Sequence, residues 1–268
     1  MRVAFLGPPG TFTHIAAQKA FRKARLVPFE AIEEVFSKVE EGAVDAGVVP
    51  IENSTEGSVN ITLDLLLKSP LKIAGELKLP IVHHLLAKRG VRLSEVKVVV
   101  AHPQALAQCR EFLEKHLPRA ERREASSTAK ACQQLDRHSA AIGSALAAKI
   151  YGLSVLARGI QDSPDNTTRF IVIAKSDSER PSGKDKTSLV FSVEDRPGAL
   201  LRALHVFADR GINLTKIESR PSKEKSWEYV FFADFEGHRL EPKPAEALRA
   251  LEGVTTFVKI LGSYRRAT

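Results

Sequence analysis

The sequence predicts an α/β protein of two lobes followed by a smaller α+β module. Three observations carry that expectation. Short apolar, β-branched runs alternate with segments of helical spacing as far as about residue 174. A polar stretch carrying Pro and Gly, residues 176–186, then interrupts the pattern. Beyond it the order of signals changes to strand, helix, strand, strand, helix, strand.

In the first lobe, residues 3–6 form an apolar run that ends at Gly7-Pro8-Pro9-Gly10, a buried strand and then a loop. Residues 12–25 have helical spacing, with Ile15, Ala16, Ala20 and Phe21 on one face and Thr11 as N-cap. A second helix is predicted over 32–41, a strand over 44–49, a polar loop over 50–58, and a helix over 61–67 that Pro70 ends. The second lobe reads as a strand at 97–101, helices at 104–116 and 128–137, a strand at 140–143, a helix at 144–151 and a strand at 153–157. The chain is expected to cross between lobes near 72–80 and to return near 159–168, leaving a cleft at the carboxyl ends of a mostly parallel sheet. The C-terminal module is predicted from strands at 188–193, 213–219, 229–235 and 255–260 and helices at 199–209 and 244–251. That order is ferredoxin-like βαββαβ.

The domain expectation is therefore residues 1–176 for the two-lobed unit (1–75 with 160–176, and 76–159), 177–186 as linker, and 187–268 for the C-terminal module. With 43% hydrophobic and 27% charged residues, the composition is that of an ordinary globular protein. No run of about 18 apolar residues occurs, so no membrane partner is expected, and a cytoplasmic location follows from an N-terminus unlike a signal peptide. The net charge of +8 raises nucleic-acid binding, but the basic residues are dispersed and no zinc finger or aromatic RNA-binding strand accompanies them. The two cysteines, Cys109 and Cys132, are expected to be reduced, and no metal-binding pattern appears among the eight histidines. His83-His84, inside an apolar stretch, reads as structural.

Five loops concentrate polar groups where a ligand would sit. Gly7-Pro8-Pro9-Gly10-Thr11 is not a P-loop, since Phe12, Thr13 and His14 stand where Gly, Lys and Ser/Thr are needed. It is either a tight turn or a helix N-terminus offering N–H groups to a carboxylate. The segment from Pro50 through Asn53 and Ser54 to Ser58 is either a solvated loop or ligand-facing. So are His102-Pro103-Gln104 and Ala125-Ser126-Ser127-Thr128. Asn166-Thr167-Thr168-Arg169-Phe170 lies on the return crossover, where its hydroxyl and guanidinium are either near the cleft or ordinary turn and strand residues.

Together these runs resemble the prephenate dehydratase family. They are Phe5-Leu6-Gly7-Pro8-Pro9-Gly10-Thr11-Phe12-Thr13, Val49-Pro50-Ile51-Glu52-Asn53-Ser54, His102-Pro103-Gln104, Ser127-Thr128-Ala129 and Asn166-Thr167-Thr168-Arg169-Phe170. The C-terminal runs Asp195-Arg196-Pro197-Gly198-Ala199-Leu200 and Lys216-Ile217-Glu218-Ser219-Arg220-Pro221 resemble the ACT domain that usually follows. The resemblance covers nearly the whole chain and is to the monofunctional form, with no chorismate mutase-like extension. It implies a periplasmic-binding-protein-like catalytic fold and a cofactor-free lyase acting on prephenate, without a metal. It places the catalytic threonine on Thr168, with Arg169 and Phe170 completing the catalytic motif and Arg169 either meeting substrate or bracing the loop, and substrate contacts on Asn53 and Gln104. Loop position adds Thr11, Ser54 and Ser127 as substrate contacts. It implies L-phenylalanine as effector, bound near Gly198, Ala199, Leu200, Glu218, Ser219, Arg220 and Pro221 between two subunits of a homodimer or homotetramer, with Asn213 on its ammonium. Two other readings remain at this level: an arogenate dehydratase, and a non-catalytic two-lobed ligand sensor.

Overall fold

The computed structural model describes residues 1–222 and 229–267. Three sheets organise them. The first lobe is built on β1 (Arg2–Leu6), β2 (Arg25–Phe29), β3 (Ala46–Asn53), β4 (Gly57–Ser58), β5 (Lys72–Pro80) and β11 (Thr167–Ala174), with helices α1 (Phe12–Ala20), α2 (Ile32–Glu40) and α3 (Asn60–Lys68). Its strand order is β2-β1-β3-β11-β5, with β4 paired to β3. The second lobe carries β6 (His84–Ala87), β7 (Val98–Ala101), β8 (Glu121–Glu124), β9 (Ser139–Gly143) and β10 (Ser154–Arg158) in the order β10-β6-β9-β7-β8. Its helices are α4 (Pro103–Gln108), α5 (Arg110–His116), α6 (Thr128–Gln133) and α7 (Ala145–Ile150).

The C-terminal module has β12 (Asp185–Ser192), α8 (Ala199–Ala208), β13 (Leu214–Pro221), β14 (Tyr229–Glu236), α9 (Pro242–Glu252) and β15 (Phe257–Arg265), strand order β13-β14-β12-β15. The βαββαβ order read from the sequence is thus present, as are the two α/β lobes.

The sheets differ from expectation in hand and extent. The first is mixed: β1 runs parallel to β2 and β3, but β11 is antiparallel to both β3 and β5. The crossover expected near 72–80 is itself the edge strand β5, whereas of the return expected near 159–168 only Thr167 and Thr168 enter a strand, β11, which lies inside the sheet. The helix expected over 12–25 stops at Ala20, because Arg25–Phe29 adds an edge strand beside β1. The helix expected over 104–116 breaks at Cys109, where the Asp162 carboxylate accepts from the N–H groups of Arg110 and Glu111 (3.0 and 3.1 Å) and caps a fresh helix. That cap comes from 51 to 52 residues away and leaves no local sign.

The C-terminal sheet does not hang from a tether. One of its faces is covered by α8 and α9, around Leu189, Phe191, Phe207 and Phe235. The other face shares a core with the first lobe, where Val190, Phe232, Leu261 and Tyr264 pack with Phe36, Leu66, Ile73 and Ile171. The contact is close: a Cβ on Gly262 would lie 2.2 Å from the Ile73 carbonyl oxygen. Lys259 Nζ donates to the carbonyls of Leu66, Leu67 and Ser69 (2.7–2.9 Å), closing the C-terminal end of α3. Of the polar stretch read as linker, Asp185 and Lys186 belong to β12 and are buried, because Lys186 serves this interface.

Candidate active site

A cleft of about 820 Å³ runs between the lobes, and Thr11, Asn53, Gln104, Ser127, Thr168 and Phe170 all line it. Those six were named from sequence. Ser54 and Arg169 are not on its walls.

The floor is the β3–β11 pair, which places Thr168 opposite Asn53 and Arg169 opposite Glu52. Side chains alternate along a strand. Thr168 and Phe170 therefore face the cleft and Arg169 faces away from it, the side on which it would brace the loop rather than meet substrate. Phe170 packs into the first-lobe core beside Phe5 and Val48 while showing an edge to the cleft.

Hydrogen bonds fix the polarity of the Asn53–Thr168 pair. Asn53 Oδ1 accepts from the N–H groups of Thr55 and Glu56 (3.0 and 3.1 Å), so the amide oxygen points into its own turn. Asn53 Nδ2 then donates to Asn166 Oδ1 and to Thr168 Oγ1, both at 2.8 Å. Both amide hydrogens are committed. Asn53, expected to bind substrate, spends them on Asn166 and Thr168. Since Thr168 Oγ1 accepts from Asn53, its own O–H must point elsewhere, and among the described residues no acceptor is paired with it. The hydroxyl proton is free for a ligand in the cleft.

Similar accounting sorts the remaining candidates. The Thr11 hydroxyl accepts from His14 N–H (3.2 Å) and donates to Leu6 O (3.0 Å), so it caps α1 and has no hydrogen left. The N–H groups of Phe12 and Thr13, at the start of α1 on the cleft wall, have no acceptor among the described residues. Ser54 Oγ donates to Asp165 O and accepts from Thr167 N–H, pinning the β3–β4 hairpin to β11. Ser127 caps α6 by accepting from Lys130 N–H (3.0 Å). Gln104 is held by its backbone N–H at His102 Nδ1 (3.3 Å), and its amide lines the cleft from the second lobe.

Three residues that sequence reasoning missed complete the site. Gln108 Oε1 accepts from Asn166 Nδ2 (2.8 Å) and pairs with His83 Nε2 (3.1 Å), linking the second lobe to the turn that holds Thr168. His83 is buried beside the cleft, with its ring edge-on to Phe12. Burial holds its pKa below the ordinary value, only partly offset by the bond to Gln108. Its apolar neighbours in the sequence masked it. Asn166 opens the Asn-Thr-Thr-Arg-Phe run, but its role depends on a partner 113 residues away.

Across the lobes, Ser144 Oγ donates to Gly10 O and the Tyr151 hydroxyl to Pro9 O, both at 2.6 Å, so the glycine-rich loop is anchored to α7. Gly10 has φ +97°, and a Cβ there would meet Ala147 at about 3.0 Å, so glycine is needed at this junction. No group of three or more His, Cys, Asp or Glu side chains suited to a metal ion occurs among the described residues.

In the C-terminal module, Gly198 caps α8 in a left-handed conformation (φ +77°). Glu218 and Arg220 face the first lobe, where Ser58 donates to Glu218 and Arg220 binds Asn60 and Asp64 (2.7 Å to Asp64). Ser219 and Pro221 are exposed on the opposite side of β13.

Fold and site together define a two-lobed α/β cleft protein fused to a ferredoxin-like module. The family model for prephenate dehydratase matches residues 3–178, and that for the ACT domain matches residues 187–253. The chain belongs to the prephenate dehydratase family, with a C-terminal ACT domain. A bifunctional chorismate mutase/prephenate dehydratase of Aquifex aeolicus is 53% identical over 270 residues, covering 100% of this chain and 74% of that protein. Arogenate dehydratase/prephenate dehydratase 2, chloroplastic, of Arabidopsis thaliana is 43% identical, covering 98% of this chain and 72% of that protein. The crystal structure of prephenate dehydratase from Arthrobacter aurescens in complex with L-Phe is 40% identical with a TM-score of 0.93, covering 99% of this chain and 90% of that one.

Proposed function

We propose that the chain converts prephenate to phenylpyruvate, carbon dioxide and water, with the Thr168 hydroxyl as donor to the departing ring oxygen. The observation that carries this reading is the orientation of the Asn53–Thr168 pair, which leaves an O–H without a protein acceptor in the cleft. In the reaction the bond from the ring to its carboxylate breaks and releases CO₂. That electron pair becomes ring π density, and the C–O bond to the ring hydroxyl breaks. One proton is taken up to complete the water. Aromatisation drives the step, and the barrier is the departure of a poor leaving group. A hydroxyl donor at that oxygen contributes about 10²–10⁴-fold, the usual range for positioned acid catalysis. Threonine is a weak acid, so Thr168 acts as hydrogen-bond donor and relay for a solvent proton. The free N–H groups at the start of α1, with its positive dipole end, suit the carboxylate that is retained. Gln104 and Ser127 approach from the second lobe and fix the orientation.

The ACT module is the seat of feedback by L-phenylalanine in this reading. The effector would lie against Gly198, Ala199, Leu200 and Asn213 and the exposed face of β13 at Ser219. A second copy of the chain would cover the exposed Leu201, Ile217 and Tyr229, making a homodimer or a homotetramer.

The test is product identification. Purified protein incubated with prephenate should yield phenylpyruvate, and L-phenylalanine should slow it. Conversion of arogenate in preference to prephenate would move the assignment to the alternative that the Arabidopsis relative's name raises. Binding of either compound without turnover would overturn the catalytic reading.

A further inference from the structure

Arg169, adjacent to Thr168, points into the interface between the first lobe and the ACT sheet. Its Nε donates to Glu76 on β5 (2.6 Å). One terminal nitrogen donates to Asp234 on β14 (2.7 Å) and the other to the Tyr264 hydroxyl on β15 (2.9 Å). Lys186 on β12 reaches the same Glu76 oxygen at 3.1 Å, and Ser188 bonds both Asp234 and Tyr264 at 2.5 Å. Two cations and two carboxylates share the cluster, all with side chains under a tenth exposed. Burial alone would lower the Arg169 pKa, but the surrounding Tyr264, Asp234 and Glu76 more than reverse this and keep it charged.

The partner strand is tied in the same way. Glu52 adjoins Asn53, and its carboxylate lies 3.4 Å from Lys216 Nζ on β13 and 3.6 Å from Arg169. Lys216 also donates to Ser58 on the same hairpin (2.9 Å) and sits 3.0 Å from Glu218. Each residue of the cleft pair thus has, as its backbone neighbour, a charged side chain held by the ACT sheet. The β11–β3 ladder changes register between Arg169 and Phe170, beside the cleft threonine. The extra residue is Ile51 on β3, while β11 keeps an unbroken register with β5 across Thr168 and Arg169, so the anchor of Arg169 acts on the strand that carries the cleft threonine.

We propose that Arg169 is a positioning residue: Asp234 and Tyr264 of the ACT sheet set the direction of the Thr168 hydroxyl through it, with Lys216 and Glu52 doing the same for Asn53. A rearrangement of the ACT sheet reaches the cleft through one residue on each strand. This deepens the functional reading above and rests on Thr168 being the donor. A misplacement of about 1 Å at a reacting group costs about 100-fold in rate, so partial loosening should cost about 10-fold.

The experiment uses the full chain with Tyr264→Phe and Asp234→Asn, neither of which touches the cleft. Both are assayed on prephenate for kcat, KM, response to L-phenylalanine and Tm. The expected result is kcat lowered about 5- to 50-fold with KM within about twofold, and a blunted response of kcat to L-phenylalanine. Arg169→Lys should lie between these variants and wild type. A purely structural cluster would lower Tm and leave kcat, KM and the L-phenylalanine response unchanged well below Tm, and that result overturns the proposal. Wild-type protein without turnover would instead remove the functional reading, and this proposal with it. Should Asp234→Asn fail to fold, Tyr264→Phe, which deletes one oxygen, decides alone.

Discussion

Exchanging one side-chain nitrogen for oxygen, Asn53→Asp, isolates the polarity of the cleft pair. The substitution keeps the oxygen that accepts from Thr55 and Glu56 N–H, so the turn survives. It removes the donor that holds Thr168 Oγ1 and Asn166 Oδ1 and puts a carboxylate oxygen in its place. Asn166 cannot turn its amide over to compensate, because its Nδ2 is committed to Gln108. The Thr168 O–H does reverse and donates to the new carboxylate, so its proton leaves the cleft. Losing one donor aimed at developing charge costs about 2.7–4 kcal/mol, or about 10²–10³ in kcat. The stability cost is the Asn166 bond and the oxygen–oxygen repulsion, about 1–3 kcal/mol, which lowers Tm by about 2–10 °C. Steady-state assay on prephenate, with a thermal melt on the same sample, reads both quantities. Turnover within twofold of wild type in a folded variant would refute the reasoning, since the hydroxyl would then be working in either direction.

Further outcomes follow from burial and packing. Burial lowers the pKa of His14, His83, His84 and His102 from the ordinary 6.5. Below 6.5 the unfolded chain takes up more protons than the folded one. Their stabilisation is therefore complete above that pH and is lost as pH falls through the depressed values. Thermal melts between pH 7.5 and 5 should show Tm falling, less steeply in His83→Gln. Gly262→Ala forces a Cβ against the Ile73 carbonyl at φ +154°. It should cost about 2–5 kcal/mol, read as a lower denaturation midpoint. Cys109 and Cys132 are buried and their pKa values raised, that of Cys132 to about 12. A thiol reagent at neutral pH should label them at the rate of unfolding rather than of a free thiol.

What the sequence made legible is what short-range chemistry dictates. The βαββαβ order of the C-terminal module and the cleft positions of Thr11, Asn53, Gln104, Ser127, Thr168 and Phe170 follow from apolar runs that end in polar loops and from a specific set of motifs. The exposed strand Glu121-Arg122-Arg123-Glu124 shows no apolar alternation, because it is an edge whose side chains all meet solvent. The break at Cys109 depends on Asp162. Arg169 was read with its neighbours because they are adjacent in sequence, whereas strand alternation sends it to the other face. The substrate contact expected of Asn53 rests on its place in a family motif, and its bonds to Asn166 and Thr168, 113 and 115 residues away, leave no local sign.

The most direct measurement compares Thr168→Val with Thr168→Ser in phenylpyruvate formation from prephenate. Valine keeps the shape of the side chain and deletes the O–H, while serine keeps the O–H and deletes a methyl group. The account predicts turnover reduced about 10²–10⁴-fold by valine and largely retained by serine. Valine turning over at the wild-type rate would contradict it.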